Sequence, residues 1–128
     1  MSFATLLVVD DDGALRIMLH HYFSLAGYGV LLAETGHTAL EVLRRASVDV
    51  ILTDLNMPEM DGRAFATALR GMGNNTPIIV MTGARDSIDV DAIAYLRKPF
   101  DLQKAHSLIR AVVDAARCSR SASSSKAK

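Results

Sequence analysis

Three short aliphatic runs stand out along the chain: Leu6-Leu7-Val8-Val9, Val48-Asp49-Val50-Ile51-Leu52 and Ile78-Ile79-Val80-Met81. Runs this long without strict alternation suit strands covered on both faces, as in a parallel sheet between helices. Two weaker strands are predicted from Gly29 to Ala33 and from Ala94 to Arg97. Helix-period stripes fill the gaps. Leu15, Met18, Leu19, Tyr22 and Phe23 share one face of the first helix. Ala39, Leu40, Leu43 and Ala46 do so in the second, and Phe65, Ala68 and Leu69 in the third. The last helix carries Leu102, Ala105, Ile109, Val112 and Ala116 at spacings of three and four, with Asp101 as its N-cap. Asp12 is placed to cap the first.

Gly27, Gly36, the stretch Gly71-Met72-Gly73-Asn74-Asn75 and Pro77 punctuate these segments as caps and turns. Strands alternating with helices predict an α/β fold with a doubly wound parallel sheet. From about Ser119 the chain becomes rich in Ser, Ala and Lys without periodicity. The expected organisation is one domain over residues 1–118 and a flexible tail or linker stub over 119–128.

Composition narrows the class. The 128 residues suffice for one core, and with half of them hydrophobic and 22% charged the chain reads as globular. Lys+Arg and Asp+Glu balance at 14 each, which argues against a dedicated nucleic-acid binder. No apolar run approaches the ~20 residues of a membrane span, and the N-terminus lacks the pattern of a signal peptide. Cys118 is the single cysteine and cannot form an internal disulfide, which suits a reducing cytoplasm. Four histidines are too scattered for a metal site, Cys118 carries no role, and the methionines read as core filler.

The chemistry lies where the aliphatic runs stop. The first ends in Asp10-Asp11-Asp12, the second in Thr53-Asp54, the third in Thr82-Gly83, and the weak last strand in Lys98-Pro99. In an open parallel sheet these points share one edge, where such folds bind ligands. Clustered carboxylates repel one another, and a divalent cation relieves the conflict. Oxygen ligands without His or Cys favour Mg²⁺. Lys98 and the Thr82 hydroxyl add donors suited to phosphoryl oxygens, so a carboxylate here is a candidate nucleophile for aspartyl-phosphate formation.

Four stretches carry a resemblance. They are Leu7 to Asp12 (LVVDDD), Asp54 to Gly62 (DLNMPEMDG), Val80 to Gly83 (VMTG) and Tyr95 to Phe100 (YLRKPF). In this order they resemble the signature segments of CheY-like response-regulator receiver domains, over about Thr5 to Cys118. The resemblance implies a flavodoxin-like, five-stranded sheet in the order 2-1-3-4-5. It implies that Asp54 is phosphorylated, that Asp11 ligates Mg²⁺ directly, that Asp10 holds metal-bound water, and that Asn56 contributes its backbone carbonyl. Thr82 matches the switch hydroxyl, Tyr95 the aromatic that changes rotamer with it, and Lys98 the phosphate-pairing lysine. A cis peptide at Lys98-Pro99 is implied as well, and Gly62 matches the glycine ending the acidic loop.

The implied function is that of a two-component response regulator, a phosphoacceptor and not a metabolic enzyme. Its partners would be a histidine kinase or histidine phosphotransfer protein, and an effector protein or fused output domain. Two rivals differ in chemistry. An aspartate-nucleophile phosphatase needs an acid/base aspartate two residues after the nucleophile, where this chain has Asn56. A receiver-like module that is never phosphorylated would not need so complete an acidic site.

One stretch departs from the family. Only 15 residues, Gly83 to Arg97, separate Thr82 from Lys98. This leaves about one or two turns for a fourth helix at 3.6 residues each. A truncated, irregular or mobile helix is predicted there. It would alter the face by which the family docks partners or forms homodimers.

Overall fold

The structure, a computed structural model, describes residues 3–83, 90 and 92–126, with side chains described as far as Cys118. All five predicted strands form: β1 (Thr5–Val9), β2 (Gly29–Ala33), β3 (Val50–Asp54), β4 (Ile78–Thr82) and β5 (Ala94–Arg97). Four helices are described, α1 (Gly13–Leu25), α2 (Gly36–Arg45), α3 (Gly62–Gly71) and α4 (Leu102–Lys126). The strands pair in parallel in the order β2-β1-β3-β4-β5. This is the doubly wound, flavodoxin-like arrangement expected.

The continuous aliphatic runs are explained by two cores, one on each face of the sheet. Leu6, Val8, Leu52, Ile79 and Met81 pack with Leu19 and Phe23 of α1 and with Ala105, Ile109 and Val112 of α4. Leu7, Val9, Ile51, Ile78 and Val80 point the other way, against Ala39 and Leu43 of α2 and Phe65 and Leu69 of α3. Alternate residues serve opposite faces, so the central strands are apolar on both sides until the polar residues at their carboxyl ends, Thr53, Asp54 and Thr82. Emptying one such position, for example Leu52→Ala, removes a fully buried side chain and typically costs about 2–5 kcal/mol.

Differences from the expectation have local causes. β3 starts at Val50 and not at Val48 because the Asp49 carboxylate accepts a hydrogen bond from the Thr5 N–H (2.7 Å), tying down the entry to β1. Met18 is 46% exposed, so the buried stripe of α1 is Leu19 and Phe23 flanked by half-buried Leu15 and Tyr22. Met57 and Met81 are buried, whereas Met72 at the end of α3 is exposed and is not core filler. Asp12 and Asp101 act as caps, accepting from the Ala14 and Lys104 N–H groups at 3.0 and 2.6 Å. The helical backbone of α4 continues past Ser119, the expected start of a tail, to Lys126. The shortened fourth-helix segment falls largely on residues 84–89 and 91, outside the described residues. Among the described residues, no helix is long and apolar enough to cross a membrane.

Candidate functional site

Register builds the site. Val9 of β1 lies beside Thr53 of β3, which sets the next residues, Asp10 and Asp54, side by side at the carboxyl edge. Asp54 in turn lies beside Met81 of β4, one step before Thr82, and Thr82 lies beside Arg97, one step before Lys98. Lys98 reaches across the end of β4. Its Nζ stands 3.3 Å from Asp54 Oδ1 and 3.6 Å from Asp10 Oδ2.

Asp10 is buried and held from several sides. Its N–H donates to the Ala33 carbonyl (3.1 Å), and its Oδ1 accepts from the Asp12 N–H (2.8 Å). Its own carbonyl accepts from Arg16 Nη1 at 2.6 Å. Oδ2 is left buried and, among the described residues, without a hydrogen bond. Burial pushes the Asp10 carboxyl above its ordinary value. The Asp12 N–H opposes that rise, the Asp54 charge adds to it, Lys98 opposes it, and Asp11 adds a little more.

One carboxylate oxygen from each of Asp10, Asp11 and Asp54 falls within 4.8 Å of the others. Three carboxylates against one ammonium leave an excess of negative charge. The donors are hard oxygens, and one of them, Asp10 Oδ2, is buried without a hydrogen-bond donor. Such a set fits a hard divalent cation, which supplies the missing positive charge at the orphaned oxygen.

Around the cluster, Thr82 is buried and its hydroxyl has no hydrogen-bond partner among the described residues, while its carbonyl accepts from the Lys98 N–H at 2.7 Å. The Lys98-Pro99 peptide is cis, as expected. Asn56 lies exposed on the β3–α3 loop. That loop is tied back at both ends: the Leu55 N–H donates to the Met81 carbonyl (3.1 Å), and the Gly62 N–H to the Leu55 carbonyl (2.7 Å). Within it, Glu59 adopts φ 68°. Tyr95 is half-buried, and its hydroxyl donates to the Val90 carbonyl at 2.6 Å. The structure thus brings Asp10, Asp11, Asp54 and Lys98 into direct ionic contact or ligating range. Thr82 lies one step beyond, and Tyr95 is engaged elsewhere.

Two supports escaped the sequence reading. Arg16 grips Asp10 from the second turn of α1, and its only signal in sequence is a cation within a helical turn or two of an acidic triplet. The packing of Met60 against Gly36 joins the acidic loop to α2, and no local pattern announces it. Beside Lys98, a cavity of about 490 Å³ is lined by Asp12, Leu15, Met18, Lys98, Pro99 and Phe100.

Residues 6–110 match the family model of the response regulator receiver domain. The chain belongs to this receiver family. As a receiver it functions in phosphorelay signalling, and its Asp10, Asp11 and Asp54 match the family's phosphoacceptor and metal site. It is 41% identical over 115 residues to the response regulator MprA of Mycobacterium leprae, covering 84% of this chain and 50% of that protein. MprA of Mycobacterium tuberculosis is 40% identical, with the same coverage. Among solved structures, the chemotaxis protein CheY4 of Vibrio cholerae is 33% identical with a TM-score of 0.79, covering 87% of this receiver and 99% of that chain. Full-length FixJ from B. japonicum is 27% identical with a TM-score of 0.84, covering 91% of this receiver and 60% of that chain. The receiver therefore spans about half the length of the curated relatives it matches.

Proposed function

We propose that Asp54 is the phosphoryl acceptor and that Mg²⁺ is the cation of the acidic cluster. The supporting observation is the convergence of Asp10, Asp11, Asp54 and Lys98 at one edge of the sheet. An Asp54 carboxylate oxygen attacks the phosphorus of a phosphohistidine. The P–O bond forms as the P–N bond breaks, and the departing imidazole nitrogen keeps the bonding electrons. Asp10, Asp11, Asp54 and the Asn56 carbonyl hold Mg²⁺, which when bound neutralises charge on the phosphoryl oxygens. Lys98, already within 3.3 Å of Asp54, pairs with the added phosphoryl charge. Thr82 turns its unpartnered hydroxyl to the same group, and Tyr95 leaves its bond to the Val90 carbonyl as the loops repack.

The donor is a histidine kinase or histidine phosphotransfer protein in the cytoplasm. The recipient of the signal is an effector protein or a fused output domain. Residues 1–118 form the receiver and 119–128 a linker or tail. Asp54→Asn removes the nucleophile while keeping the side chain's shape. It is expected to abolish Mg²⁺-dependent labelling by acetyl phosphate and by a cognate kinase. Retention of label at residue 54, or full labelling elsewhere, defeats the assignment.

A further inference from the structure

We infer that Arg16 is a positioning residue for the cation site, setting the direction in which Asp10 presents its free oxygen. This inference rests on the reading of the acidic cluster as a Mg²⁺ site. Asp10 has four polar atoms that must be oriented together. Three are fixed within the protein: the N–H by Ala33, Oδ1 by the Asp12 N–H, and the carbonyl by Arg16. The fourth, Oδ2, is the one left for the cation and Lys98.

Of these fixing contacts, the one from Arg16 is the only one made by a side chain. The other two come from backbone that the sheet and the α1 N-cap already define. At 2.6 Å it is a short, charge-assisted hydrogen bond, a kind roughly twice as strong as a neutral one. Arg16 is anchored in turn. Its Nη2 stands 3.6 Å from Glu34 Oε2, just after β2, and its side chain is only 19% exposed. One planar guanidinium therefore spans the segments after β1 and β2, which lets the fork of Arg do what a single ammonium cannot. The exposed Glu34 partner adds little binding energy itself. Its part is to hold the guanidinium at the Asp10 carbonyl.

A purely structural Arg16 would affect folding and leave cation affinity alone. The two cases separate in calorimetric Mg²⁺ titration of the folded protein, read beside labelling by acetyl phosphate as a function of Mg²⁺. Groups that orient metal ligands typically contribute about 10–100-fold to metal affinity. For Arg16→Ala we expect a Mg²⁺ Kd raised about tenfold, at the low end of that range. The labelling rate at saturating Mg²⁺ should return to that of the parent, because no reacting atom has been touched. Arg16→Lys, which keeps a donor and the charge but loses the fork, should fall between the two. It also supplies the test if Arg16→Ala does not fold. Unchanged Mg²⁺ affinity in the folded variants overturns the inference. A parent protein that neither binds Mg²⁺ nor takes label overturns the cation-site reading on which it stands.

Discussion

The Met60 thioether occupies the space in which a side chain on Gly36 would begin. A Cβ at Gly36 would stand 2.7 Å from Met60 Sδ and 2.8 Å from Met60 Cγ. The acidic loop thus rests on the N-terminus of α2 through a contact that uses the space left by the missing Cβ of Gly36. Gly62 makes a similar close approach at the loop's other end. A Cβ there would meet the Asp54 carbonyl oxygen at 2.9 Å and Leu55 Cα at 3.0 Å.

These two contacts differ in what can yield. Met60 is a flexible side chain, whereas the Asp54 and Leu55 atoms are backbone. Overpacking typically costs about 1–3 kcal/mol. Gly36→Ala is expected at the low end of that range and Gly62→Ala at the top or above it. Urea unfolding measures both. Adding Met60→Ala should recover part of the Gly36→Ala loss and none of the Gly62→Ala loss. Recovery in both, or in neither, contradicts this account.

Lys98 competes with any cation for the same oxygens, since its Nζ lies near both Asp10 Oδ2 and Asp54 Oδ1. Lys98→Met should therefore tighten Mg²⁺ binding. A unit charge at about 4 Å is worth about 1 kcal/mol even at the dielectric of water, so roughly fivefold or more is expected. Calorimetry reads the sign directly. Weaker binding in the variant would mean that Lys98 supports the cation and does not oppose it.

Tyr28 is buried among the rings of Phe3, Phe23 and His106, and its hydroxyl has no hydrogen-bond partner among the described residues. Burial pushes its phenol above the ordinary value of 10.0. Arg110 opposes the rise, Asp114 adds to it, and Arg117 opposes it again. The protonated form is thus the one the fold favours. Its stabilising effect is complete below pH 10.0 and is lost as pH rises through the higher folded-state value. Tyr28→Phe should be neutral or slightly stabilising near neutrality, because it deletes an unsatisfied polar group. It should also lose less stability than the parent in alkaline denaturation. Equal losses in parent and variant would refute the assignment.

The sheet was legible because its strands are covered on both faces, so burial wrote itself into runs such as Leu6 to Val9 and Ile78 to Met81. The acidic cluster was legible for a related reason: its members end a strand or follow one within two residues, and parallel order brings strand ends together. The start of β3 was misplaced because Asp49 spends its carboxylate on a backbone N–H 44 residues away, a pairing no local pattern reveals. Met18 was misplaced because a helical stripe has margins, and the neighbouring element decides which margin is covered. Arg16 and the contact of Gly36 with Met60 were missed because the partners, Asp10's carbonyl and the Met60 side chain, are chosen by tertiary approach.

The last helix has a consequence for how far an event at Lys98 can carry. α4 begins just after Lys98 and Pro99, at the carboxyl edge of the sheet. By Arg117 it has reached the opposite edge, where Arg110 and Arg117 lie over the Phe3 ring at 4.4 and 4.7 Å and Arg117 Nη2 donates to the Phe3 carbonyl at 2.6 Å. From Leu102 to Arg117 the helix spans about 22 Å at a rise of about 1.5 Å per residue. It is a lever with its foot beside the acidic cluster and its Arg110–Arg117 stretch clasped at Phe3. Pivoted at Phe3, a tilt of about 5° moves the end near Lys98 by about 2 Å over that length. Loosening the clasp, and not only altering the acidic edge, is therefore a second way to change what the lever transmits.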